Sequence, residues 1–236
     1  MRLNRELPGA GWLALLGGGE FSFGETLLAD RAWVERAAEG PVGFLPTASG
    51  SADYGRHLAD YLAETFGRET RTVPVYRPRD ARRGRNLERV AESAAVYLGG
   101  GVADELLRVL ADSPALEAIE QKMRQGGVVV AVAAAAQATG RWARSLTGGQ
   151  ALAGLGWLEG VIEANFDPGH DRRLRWLVEQ PGVERGLGLP TGSACLFGPG
   201  GQIDTIGPVF ILDSPDGDLE VVAADGGSDR LDDDDA

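Results

Sequence analysis

The stretch Gly126-Gly127-Val128-Val129-Val130-Ala131-Val132-Ala133-Ala134-Ala135-Ala136-Gln137-Ala138 constrains the fold more than any other part of the chain. Residues 128–132 carry no polar side chain and are mostly β-branched, as in a strand buried on both faces. The alanines that follow at once are strong helix formers. A strand therefore runs into a helix with almost no loop between them, a unit of parallel α/β sheets. In many α/β hydrolases this junction holds a Ser or Cys at the tip of a sharp turn, flanked by small residues. Here the tip holds only alanine.

The chain on either side repeats the alternation. Apolar runs at 12–16, 42–45 and 94–98 and the stretch Thr70–Val75 predict four more strands, and the spacing of Leu58, Tyr61, Leu62 and Phe66 predicts an amphipathic helix over 52–66. Further helices are expected over 25–38, 87–93, 104–110, 115–124 and 172–179. The strands end at Gly17-Gly18-Gly19, Pro46-Thr47-Ala48-Ser49-Gly50 and Gly99-Gly100-Gly101. In an open parallel sheet ligands bind at the carboxyl ends of strands, so these breaks mark where a site would lie. After residue 186, short runs at 186–189, 194–197, 202–206, 209–212 and 219–223 are separated by Gly-Pro-Gly-Gly and Ser-Pro-Asp-Gly turns. They read as antiparallel hairpins at one edge. The expected architecture is a three-layer α/β sandwich with a mainly parallel, flavodoxin-like central sheet. It forms one domain over residues 1–225, followed by an acidic, disordered tail over 226–236.

Composition narrows the function classes. The formal charge of −12 argues against nucleic acid as a main partner. No apolar run is long enough to span a membrane. A single cysteine, Cys195, and an N-terminus without an apolar leader fit a reducing, cytoplasmic setting. Two histidines and one cysteine, far apart in sequence, offer no metal-ligand cluster. Gly17-Gly18-Gly19 followed by Gly24 lacks the dinucleotide spacing, and no Walker pattern occurs. No cofactor is implied. The sequence names no small molecule or peptide partner, and a homodimer remains open.

Several junctions together resemble the serine peptidase family of aspartyl dipeptidase (dipeptidase E) and cyanophycinase. They are Leu15-Leu16-Gly17-Gly18-Gly19-Glu20, Phe44-Leu45-Pro46-Thr47-Ala48-Ser49, Tyr97-Leu98-Gly99-Gly100-Gly101, the junction at 131–138, Gly160-Val161-Ile162, Asn165-Phe166 and Gly186-Leu187-Gly188-Leu189. The order and spacing match over about residues 12 to 212. The resemblance implies a fold like the class I glutamine amidotransferases. It also implies a Ser nucleophile, a His base and an acidic or hydrogen-bonding third member.

At each reactive position this chain departs from that pattern. The family elbow, Gly-x-Ser-Ala-Gly-Ala, laid on residues 132–137 places Ala134 at the serine. A motif resembling Asp-x-His-Phe becomes Glu163-Ala164-Asn165-Phe166, which puts Asn165 where the base belongs. An acidic Asp-Glu-Gly-Thr-Ala pattern becomes Pro190-Thr191-Gly192-Ser193-Ala194. Val102 replaces a polar residue after the third glycine turn. The expectation is a catalytically degenerate relative with a vestigial pocket at Gly18, Gly19, Gly99, Gly100 and Gly101. Without a serine to present, the turn at residue 134 is expected to be relaxed.

Two alternatives stand beside it. One is an active hydrolase with a relocated nucleophile, Ser193 or Thr191 first, then Ser145 or Cys195, with His170 or His57 as base. The other is an anion- or acidic-peptide-binding module built on the loop 77–85. There Arg77, Arg79, Arg82, Arg83 and Arg85 make a positive patch that can hold a phosphate, an acidic peptide or the chain's own tail.

Overall fold

The computed structural model describes residues 9–147 and 149–222. The tail over 226–236 lies outside the described residues. Seven strands form the main sheet: β1 (Trp12–Leu16), β2 (Val42–Leu45), β3 (Thr70–Thr72), β4 (Ala95–Leu98), β5 (Val128–Val132), β10 (Ala194–Phe197) and β11 (Ile203–Ile206). Their order is β11-β10-β1-β5-β4-β2-β3, parallel from β1 to β3 and antiparallel at β10 and β11. The alternation of strand and crossover helix requires this arrangement, because parallel neighbours cannot be joined by hairpins.

Strand β5 is buried along its whole length. Val129 and Ala131 join one apolar cluster with Leu13, Leu15, Val96 and Leu98. Val128, Val130 and Val132 join another with Ala14, Leu16, Phe44 and Tyr97. Both faces of the strand are covered, so no polar position is tolerated in it. The helices α1 (Leu27–Arg36), α2 (Ala52–Phe66), α3 (Gly84–Glu92), α4 (Ala103–Leu110) and α5 (Pro114–Arg124) form the outer layers. Ser51 and Ser113 cap α2 and α5 through Tyr54 N and Leu116 N, and Pro114 opens α5. No described helix is long and apolar enough to cross a membrane.

The last third is more elaborate than a set of edge hairpins. After α6 (Ala134–Ala138), β6 (Trp142–Arg144) and β7 (Ala151–Ala153) form a separate hairpin that no apolar alternation announces. Strand β8 (Val161–Ala164) runs parallel to β9 (Gly186–Leu189), with α7 (Arg172–Val178) crossing between them. Strands β12 (Val209–Leu212) and β13 (Glu220–Val222) complete a second sheet of order β13-β12-β9-β8. Only β10 and β11 extend the main sheet. Strand β3 is also shorter than the stretch expected at 70–75: Val73 N still donates to Phe44 O at 2.8 Å, but Pro74 has no amide hydrogen to continue the pairing.

Candidate functional site

The carboxyl ends of β1, β5, β8 and β9 meet around Leu16 and Gly17. The amide of Ala133 donates to the carbonyl of Leu16 at 3.0 Å, and the amide of Asn165 donates to the carbonyl of Gly17 at 2.7 Å. Gly17 N donates to Ser193 O at 2.9 Å, and Gly192 N donates to Gly18 O at 2.9 Å. The junction after β5, the loop after β8 and the loop after β9 are thereby tied to one glycine turn. The sequence names Asn165, Thr191, Gly18 and Gly19 for this place, and the fold brings them together.

The sharp turn itself lies one residue before the expected one. Ala133 has φ 51 and ψ −112, the geometry of a mirror-image turn that favours glycine. Ala134 is already the first helical residue of α6. Three described non-glycine residues have positive φ: Asp112, Ala133 and Asn165. Asp and Asn tolerate that region, whereas alanine pays the full Cβ penalty. The turn is therefore strained despite having no nucleophile to present. With alanine at 133, 134, 135 and 136, side-chain chemistry cannot mark the tip; the backbone does. The strain is fixed from both sides, by the bond to Leu16 and by Gln137 N donating to Ala133 O at 3.0 Å.

The glycine turns retain only part of their open space. A side chain built on Gly18 (φ 117) would collide with Oδ1 of Asn165, whose amide fills that position. Gly101 is pressed against the backbone of Ala48, and Val102 N donates to Ala48 O at 3.0 Å. Gly100 alone of these faces the elbow with room: a Cβ there would stand 3.5 Å from Cβ of Ala133. Asn165 is exposed, and Thr191 Oγ1 donates to its Oδ1 at a long 3.4 Å.

The relocated-nucleophile candidates are placed as follows. Ser193 is 1% exposed and donates its hydroxyl to Pro190 O at 2.8 Å. Ser145 is buried and donates to Asp104 at 2.5 Å. Cys195 is buried on β10, and burial pushes its thiol up to about 12. His170 is exposed and paired at 2.7 Å with Asp167, whose carboxyl that bond holds low. His57 is exposed on α2, beside a shallow groove lined by Phe21 and Tyr61. Neither histidine is hydrogen-bonded to a Ser, Thr or Cys among the described residues.

An open cleft of about 670 Å³ adjoins Asn165. It is lined by Glu163, Phe166, Asp167, His170, Arg172 and Arg173 among others. Glu163, two residues before Asn165 in the motif at 163–166, is the one charged residue in the otherwise apolar β8. It is 4% exposed, and burial pushes its carboxyl up against the opposing pull of Arg144 and Arg173. Its nearest cation is Arg144 at 3.7 Å, and its Oε2 has no hydrogen-bond partner.

The arginine loop is organised around one acid. Buried Asp80 accepts from Arg77 N at 3.1 Å and lies 3.4 Å from Arg83 and 4.0 Å from Arg79. Asn86 donates to Asp80 O at 2.9 Å. Arg79, Arg82 and Arg83 remain exposed. The loop follows β3 at the edge of the main sheet, away from the elbow in strand order.

Residues 13–202 match peptidase family S51. Among solved structures, a peptidase from an acI-B1 actinobacterium superposes with a TM-score of 0.76 at 20% identity, covering 93% of this chain and 98% of that one. A putative peptidase E protein from Listeria monocytogenes EGD-e gives a TM-score of 0.62 at 15% identity, covering 83% and 98%. These likenesses show a shared fold. No curated protein sequence matches the chain.

Proposed function

We propose that this chain, which belongs to peptidase family S51, is a member that binds without hydrolysing. The observation that carries the reading is Ala133: a strained, elbow-like backbone whose side chain is a methyl group. Set with its tip at residue 133, the family pattern Gly-x-Ser-Ala-Gly-Ala falls on residues 131–136. Both of its alanines are then kept, at Ala134 and Ala136, while the serine is replaced. A methyl group has no lone pair to attack a carbonyl, and the amide of Asn165 cannot take a proton at neutral pH.

The relocated-nucleophile reading finds less support. The hydroxyl of Ser193 is committed to a backbone carbonyl, and the Cys195 thiol stays protonated at physiological pH. The test is hydrolysis of aspartyl dipeptides and β-aspartyl-arginine by the full chain. Release no faster than buffer, unchanged by Ser193→Ala or Thr191→Ala, is expected. Turnover abolished by either substitution would overturn the reading.

A further inference from the structure

We infer that the cleft beside Asn165 is an interaction surface for an acidic peptide segment, and that its occupant is the acidic C-terminal stretch of this same chain. The inference goes beyond the loss of hydrolysis and does not depend on it.

Strand register carries the first half. Val221 on β13 pairs with Phe210 on β12, Phe210 pairs with Gly188 on β9, and Gly188 pairs with Glu163 on β8. Val221 and Glu163 therefore share one row across the second sheet. Three inter-strand steps separate them by about 14 Å. Strand β13 is antiparallel to β12, which is antiparallel to β9, so β13 runs in the direction of β8 and β9. The chain leaves β13 at the end where β8 leads into Asn165 and the cleft. Phe166, on the cleft wall, packs on Phe210 at a ring distance of 5.3 Å, which ties the two regions together.

Charge carries the second half. Beyond Val222 the sequence holds Asp225, Asp229 and Asp232–Asp235 against a single Arg230. An extended chain advances about 3.3–3.6 Å per residue, so Asp229, seven residues past Val222, lies within reach of the cleft. Of the acids in the cleft wall, Asp171 pairs with Arg175 at 2.7 Å and Asp167 with His170, while buried Glu163 lies 3.7 Å from Arg144 with its Oε2 unbonded and also feels the charge of Arg173. Arg172 and Arg173, by contrast, have no ion pair within 4.0 Å among the described residues, where Arg175 and Arg185 do. Two guanidinium groups beside the exit of an acid-rich segment suit bidentate carboxylate contacts. The loop 77–85, the other basic patch, follows β3 at the edge of a different sheet, and Asp80 already neutralises part of it.

The test uses the full chain with a nitroxide spin label at Ser228→Cys, which keeps every acid of the segment, and with Cys195→Ala to keep the label unique. Paramagnetic broadening of backbone amides is read by NMR. At 0.01 M salt, where charges are felt over about 30 Å, amides 166–173 should lose intensity about twofold or more. The loss should disappear at 1 M salt, where screening shortens to about 3 Å, and in Arg172→Gln/Arg173→Gln. Arg82→Gln/Arg83→Gln should leave it in place. Broadening centred on residues 77–85, no broadening, or broadening indifferent to salt and to Arg172 and Arg173 would overturn the inference. None of these outcomes bears on whether the elbow hydrolyses anything.

Discussion

Ala133 hangs from Leu16 by a 3.0 Å hydrogen bond, and the same residue carries the positive φ of the strand-to-helix turn. The bond holds β5 level with β1 at their carboxyl ends, so the strain cannot relax without breaking that link between two central strands. Ala133→Gly should therefore stabilise the fold by about 1 kcal/mol, the strain relief exceeding the added chain entropy. Ala134→Gly, in regular helix, should cost about 1 kcal/mol. Urea denaturation of the two variants checks the assignment, and the reverse order would place the tip at 134.

The Asn165 amide excludes any side chain at position 18. Gly18→Ala sets a methyl group against the Asn165 amide at a φ of 117. It should destabilise by about 2 kcal/mol or more. Adding Asn165→Ala should recover part of that loss, because it removes the collision but not the backbone strain. Equal losses in the single and double variants would mean that the two residues do not touch.

Asp30 should make stability depend on pH in a definite direction. The residue is 1% exposed and accepts from Trp33 Nε1 at 2.9 Å and Tyr61 OH at 3.0 Å. Burial raises its carboxyl above the ordinary value of 3.8, against the pull of those donors. The folded chain then holds a proton that the unfolded chain gives up more readily. This contribution is fully present below the ordinary value and is lost as pH rises through the raised folded value. Asp30→Asn removes the titration, so between pH 4 and 7 the wild type should lose more stability than the variant. Parallel stability curves would contradict the assignment.

Cys195 should be silent toward thiol reagents. With its thiol pushed up to about 12 by burial, the native chain should resist iodoacetamide at pH 8 and react fully in denaturant. Rapid labelling of the folded chain would instead reveal an accessible thiolate and reopen it as a nucleophile.

The fold was legible because its signals are local. Uninterrupted apolar runs mark β1, β2, β4 and β5, and amphipathic spacing marks α2. What escaped depends on long-range pairing. Nothing in Gly186-Leu187-Gly188-Leu189 says that it leaves the main sheet to pair with β8, and β6 and β7 are short and half-exposed. At the site, Asn165 and Thr191 could be located by position in a motif. The elbow tip could not, because a row of alanines gives no side-chain signal for the one whose φ is positive. Glu163 could be placed in the motif at 163–166, but its burial, which makes it notable, depends on packing that a single acid in a short strand does not announce.

On the proposed function, the elbow at Ala133 carries no nucleophile and no other residue has moved in to replace one. Intact-mass spectrometry of the wild-type chain after incubation with a fluorophosphonate tests this most directly. An unmodified mass is expected. Stoichiometric addition mapping to a serine or threonine of the wild-type chain would contradict it.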